Sequence, residues 1–87
     1  MTNKEKMEQT VELMLSDNYK DRFKGEYLQL FYRVEGLAKM LDDWRDGKLN
    51  FEPTCDYFVY VEQLKAMTEY LHILHDRAME EEISVSI

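Results

Sequence analysis

Proline occurs once in this chain, at Pro53, cysteine once, at Cys55, and glycine three times, at Gly25, Gly36 and Gly47. A single cysteine excludes an intrachain disulfide and suits a reducing compartment. With so little glycine and proline, the only dense cluster of turn residues is DGKLNFEPT, residues 46–54, and the rest is compatible with helix. No apolar run approaches the ~18 residues of a membrane span, and none follows the MTNKEK start, so neither a transmembrane helix nor a signal peptide is expected. Positive charge is also short. Eleven Lys and Arg stand against eighteen Asp and Glu, a net charge of -7. Such a chain lacks the basic face that a nucleic-acid polymer rewards through counterion release. A local pocket for one small anion is still allowed.

Signatures of catalysis are missing as well. There is no HExxH, no Gly-x-x-x-x-Gly-Lys, no Gly-x-Gly and no Cys/His set at metal-ligand spacing. His72 and His75 lie near Asp76 and Glu80 on one helical stretch and read as surface or interface residues, since a metal needs ligands converging from several directions. Cys55 has no neighbouring base and reads as packing. Acid runs such as Asp42-Asp43 and Glu80-Glu81-Glu82 read as solvated helix faces. No enzyme, metal site or cofactor is expected.

What is present is apolar periodicity. The chain has 87 residues, enough for one domain, and is 45% hydrophobic, with one tryptophan, six tyrosines and four phenylalanines, which argues against disorder. A first helix is expected over about 2–15, where Thr2 and Glu5 fit a capping box and Met7, Val11, Met14 and Leu15 form a stripe. Ser16, Asp17 and Asn18 interrupt it, and any of them could cap the next helix. That helix is expected over about 17–46, with Phe23, Tyr27, Leu30, Val34, Leu37, Leu41 and Trp44 in alternating steps of four and three, closed by Gly47. A third is expected over about 54–82, with Tyr57, Tyr60, Leu64, Met67, Leu71, Leu74 and Ala78 in the same rhythm. Folded antiparallel about the 46–54 loop, the two runs pair in one register, Phe23 with Ala78 through Val34 with Met67 to Trp44 with Tyr57. The fold class is therefore all-α, a long antiparallel two-helix hairpin with a short N-terminal helix laid across it, in a single domain over residues 1–87. Leu28, Phe31, Tyr32, Met40, Phe58, Val59, Val61, Tyr70 and Ile73 lie off the seam. A small domain buries only ~60–65% of its unfolded surface, so this surplus points to a homo-oligomer.

One stretch runs against the acidic background. In SDNYKDRFKGEY, residues 16–27, the cations Lys20, Arg22 and Lys24 alternate with Tyr19, Phe23 and Tyr27, at the positive end of a helix. The hairpin register brings Arg77 level with Lys24. These residues are the candidate ligand site, in which arginine forks onto phosphate and a tyrosine or phenylalanine stacks on a base. The competing reading is internal: the register also brings Glu80, Glu81 and Glu82 level with the basic stretch, where they would simply neutralise it.

The stretches SDNYKDRFKGEYLQLFYRVEGLAKML, DGKLNFEPTC and EQLKAMTEYLHILHDRA resemble a family of small phage and prophage proteins first catalogued in crAss-like phages, itself similar to the helical-hairpin domain of phage anti-CBASS and anti-Thoeris sponges. The likeness spans roughly residues 15–82. It implies a non-enzymatic protein of the infected bacterial cytoplasm that forms ring-like hexamers and sequesters cyclic nucleotides or cyclic ADP-ribose isomers between protomers. It carries Arg77, and Tyr19, Lys20, Arg22, Phe23 and Tyr27, over as binding positions. Where relatives have a proline after the cysteine, this chain has Cys55-Asp56-Tyr57-Phe58. The alternative from another class is an acidic protein-binding inhibitor or adaptor, such as an anti-CRISPR, acting through an exposed acidic or apolar face.

Overall fold

The computed structural model describes residues 1–85, and among them are three α-helices and no strand: α1 Asn3–Met14, α2 Tyr19–Arg45 and α3 Tyr57–Glu80. Each starts on a side-chain cap. Thr2 and Glu5 complete the capping box of α1. Of the three candidates ahead of α2, Asn18 is the cap, its Oδ1 accepting from the Lys20 amide at 2.8 Å, while the Ser16 hydroxyl donates to Asp21 at 2.9 Å. The third helix begins later than Pro53-Thr54 suggested, because Asp56 takes the cap position and accepts from the Phe58 amide.

Helices α2 and α3 form the antiparallel hairpin in the expected register. At the loop end the Trp44 and Tyr57 rings meet edge to face, with centroids 5.1 Å apart. At the open end Phe23, Tyr27, Leu30, Leu74 and Ala78 belong to one buried cluster, with Val34, Met67 and Leu71 packed against it. The molecule is 42 Å in its longest dimension, about the length of a 28-residue helix at 1.5 Å per residue.

Helix α1 does not lie across the hairpin. It runs antiparallel along α2 alone and makes no packing contact with α3 among the described residues. Two stripes of α2 explain this. Phe23, Tyr27, Leu30, Val34, Leu37, Leu41 and Trp44 face α3, whereas Gly25, Leu28 and Tyr32 lie on the opposite side of the helix and meet α1. Gly25 is the point of closest approach: a Cβ there would stand 2.8 Å from Met14 Cγ and 2.9 Å from the Met14 backbone nitrogen. Only a residue without a Cβ lets the two backbones come so near. Thr10, on α1, is fully buried and satisfied by donating to the Met7 carbonyl at 2.6 Å. Of the off-seam apolar residues, Leu28 is buried and Tyr32 packs on the core, while Phe58, Val59, Tyr70 and Ile73 stay exposed on α3.

Both hairpin helices end in the same C-terminal motif. After α2, Lys48 donates to the Asp43 carbonyl and Gly47 to that of Trp44, with Gly47 at φ 69°. After α3, Ile83 donates to the Ala78 carbonyl and Glu82 to that of Met79, with Glu82 at φ 56°. This is the Schellman arrangement, which places the residue two beyond the cap against the last turn. It folds Ile83 back into the core cluster, with Val85 packed against it.

Candidate functional site

The open end of the hairpin is built where the N-terminus of α2 meets the C-terminus of α3. Tyr19 opens α2, Arg77 lies in the last turn of α3 and Glu81 caps that helix. The three side chains close a ring of hydrogen bonds. The Tyr19 hydroxyl donates to Glu81 Oε1 at 2.7 Å, Arg77 Nη2 donates to the Tyr19 hydroxyl at 2.9 Å, and Arg77 Nε donates to Glu81 Oε2 at 3.2 Å. The guanidinium also lies over the Phe23 ring, 5.0 Å from its centroid. The electrostatics follow the ring. The Tyr19 phenol is held above its ordinary pKa, chiefly because its hydroxyl donates to the Glu81 carboxylate, and the Glu81 carboxyl is held below its ordinary value by the bonds from Tyr19 and Arg77. Chemically the arrangement offers a forked cation and a phenol hydroxyl above an aromatic floor, with one internal carboxylate seated on both donors.

The fold divides the other candidate residues. Arg22 turns toward the interhelical turn and donates to the Ser16 carbonyl at 2.9 Å. Lys20 is exposed beside the helix start. Lys24 lines a cavity of about 620 Å³ between α1 and α2, together with Lys6, Leu13, Asp21, Leu28 and Tyr32. Phe23 and Tyr27 are buried in the core. Tyr19, Phe23 and Arg77 therefore come together. Arg22 is directed to backbone, and Lys24 faces the first helix, because a helix distributes neighbouring residues around its circumference. The acidic tail reaches the basic stretch through Glu81, which bonds Tyr19 and Arg77.

Sequence reasoning missed two things. One is Ile83, whose burial depends on a left-handed Glu82 that nothing in the residue type signals. The other is a second cavity of about 480 Å³, lined by Lys6, Tyr32, Arg33, Gly36 and Lys39, on the α1 side of α2. A signal for it was present: Arg33, Gly36 and Lys39 recur at steps of three on one helix face. Among the described residues no group of three or more His, Cys, Asp or Glu could hold a metal ion, and no helix is long and apolar enough to cross a membrane.

The Sequestin family model matches residues 17–80, the whole of α2 and α3 with the loop between them. The chain belongs to the Sequestin family. The matched region contains Tyr19, Phe23 and Arg77 and omits α1 and Glu81. The family name denotes sequestration, which is binding rather than catalysis. Neither a curated protein nor a solved structure matches the chain.

Proposed function

We propose that this protein is a non-enzymatic sponge that sequesters a cyclic nucleotide or cyclic ADP-ribose-type immune signal in the cytoplasm of an infected bacterium. The observation that carries the reading is Arg77, stacked on Phe23 and bonded to Tyr19 at an open helix end, within a Sequestin chain. A ligand phosphate would take the place of the Glu81 carboxylate on Arg77 and Tyr19, exchanging one charge-assisted pair for another. Lys20, Arg22 and Lys24 would supply further positive charge at the same end of α2. The Glu81 side chain would be free to swing aside while Ile83 keeps the tail in place, because the carboxylate is held only at the surface, where solvent screens an ion pair.

Self-association belongs to the same proposal. Phe58, Val59, Tyr70, Ile73 and Met79 are exposed on α3, the helix that has a neighbour on one side only. A homo-oligomer, a hexamer as in similar sponges, would cover that face and close the pocket between protomers. Light scattering at micromolar concentration should then report a mass well above 10.5 kDa.

A thermal-shift screen against cyclic di- and trinucleotides and cyclic ADP-ribose isomers tests the reading. At 100 times Kd a ligand adds about 2.7 kcal/mol, a shift of roughly ten to twenty degrees in so small a domain. Arg77→Ala should weaken binding more than tenfold, and the ligand should be recovered intact after heat denaturation. A broad panel without thermal shift or calorimetric signal overturns the sponge. The same exposed α3 face, with Arg77 already neutralised by Glu81, then favours a protein-binding inhibitor.

A further inference from the structure

The surface between α1 and α2 carries a second concentration of cations. The cavity of about 480 Å³ near the start of α1 is lined by Asn3, Lys6, Tyr32, Arg33, Gly36 and Lys39, and Glu35 is the one acid on its wall. Its size lies within the ~300–1,000 Å³ range of small-molecule sites. At Gly36 and Lys39 it continues into a smaller hollow of about 360 Å³ that reaches Lys48. Three cations against one carboxylate is a local excess in a chain of net charge -7.

The cations are not used up by the fold. Arg33 is exposed and makes no hydrogen bond or ion pair among the described residues. Among the described residues Lys6 has no carboxylate partner, and it rests over the Tyr32 ring, 5.5 Å from its centroid. Lys39 is held by Asp43 at 2.8 Å, with its side chain largely exposed. The floor is open: a Cβ at Gly36 would have no atom within 4 Å. Helix packing therefore does not require glycine there, in contrast to Gly25, and the backbone at Gly36 is open to close approach by a ligand.

We propose that this cavity is an anion site for a small molecule that carries phosphate beside a planar ring, such as a nucleoside diphosphate. Arg33 forks onto the phosphate, Lys39 and Lys6 add point charges, and the ring stacks on Tyr32 over Gly36, where the Lys6 ammonium now lies. The site shares no residue with the Tyr19–Arg77–Glu81 ring. Asn3 and Lys6 lie outside residues 17–80, so the site depends on a helix that the family model does not span.

The test is an NMR titration of the full chain, with calorimetry, using ADP and inorganic pyrophosphate as probes. ADP should shift the backbone amides of residues 3–7 and 32–39 and leave those of 19, 77 and 81 in place. Arg33→Gln combined with Lys39→Gln should weaken both probes ~10-fold or more, since each charge-assisted bond is worth about that factor. Tyr32→Leu should weaken ADP while pyrophosphate still binds, which also reports that the variant is folded. Arg77→Ala should change neither probe, so loss of the sponge reading and loss of this site are separable. The proposal is overturned if neither probe shifts the spectrum at millimolar concentration. It is equally overturned if the shifts cluster at the hairpin end, or if the double variant binds as well as the parent.

Discussion

At the open end of the hairpin Phe23, Leu74 and Ala78 are sealed from water, whereas at the loop end Trp44, Tyr57 and Tyr60, on the same seam, are only half-buried. The apolar rhythm is identical at both ends. The difference comes from what lies around the seam. Near the open end α1 covers the back of α2, and the tail returns Ile83 and Val85 to the core. Near the loop no third helix covers the pair, and although Leu41 is still buried, edge-to-face rings do the packing beyond it. A regular seam thus specifies which residues meet, and additional layers specify how deeply they are buried.

Truncation should expose that contrast most strongly. Leu74→Ala removes a side chain of 0% exposure and should cost about 3 kcal/mol, while Leu37→Ala, on the half-buried part of the seam, should cost about 1 kcal/mol. Urea unfolding of both variants checks this, and equal losses would mean that the two halves are packed alike. Next in size, Gly25→Ala should destabilise by about 1–2 kcal/mol, because overpacking against the Met14 backbone outweighs the gain in helix propensity. Hydrogen exchange should show α1 loosened while α3 keeps its protection.

Glu82→Gly should stabilise by about 1 kcal/mol, since Glu82 holds a left-handed conformation that glycine adopts freely, and the Tm should rise by several degrees. Gly36→Ala should stabilise by about 0.5–1 kcal/mol, with the opposite sign to Gly25→Ala on the same helix. Calorimetric melts of the two glycine variants side by side would show whether α1 is what distinguishes them. The smallest effect concerns pH. The folded pKa of Glu81 is depressed, so its contribution is present above the ordinary carboxylate pKa and is lost as pH falls through the lower folded value. Glu81→Gln should therefore flatten the acid side of the stability profile slightly, and acid titrations of parent and variant would measure it.

The candidate site was legible in part. Tyr19, Phe23 and Arg77 could be brought together from the register alone, because the hairpin pairs the start of α2 with the end of α3. The partner of the guanidinium, Glu81, was foreseen as one member of an acid run, and side-chain reach brought it to Tyr19 at the helix start. Arg22 could not be placed. Its direction depends on where the turn after α1 leaves the Ser16 carbonyl, which is a matter of tertiary placement. Of the Lys6–Tyr32–Arg33–Lys39 cavity only the α2 wall, Arg33, Gly36 and Lys39 at steps of three, was legible, because the other wall comes from a helix whose docking the seam does not dictate.

The sequence by itself determined the helices, their pairing and the turn between them. Apolar steps of three and four mark one seam on each hairpin helix, Gly47 suits a left-handed cap, and seven matched layers leave one register. Only the tertiary structure decided that α1 lies behind α2 and not across the hairpin. It also decided that Gly25 is a contact while Gly36 is a gap, and that Glu82 turns left-handed to bury Ile83. Those outcomes depend on steric fit between surfaces distant in sequence, and periodicity, which is a property of one helix at a time, does not encode that fit.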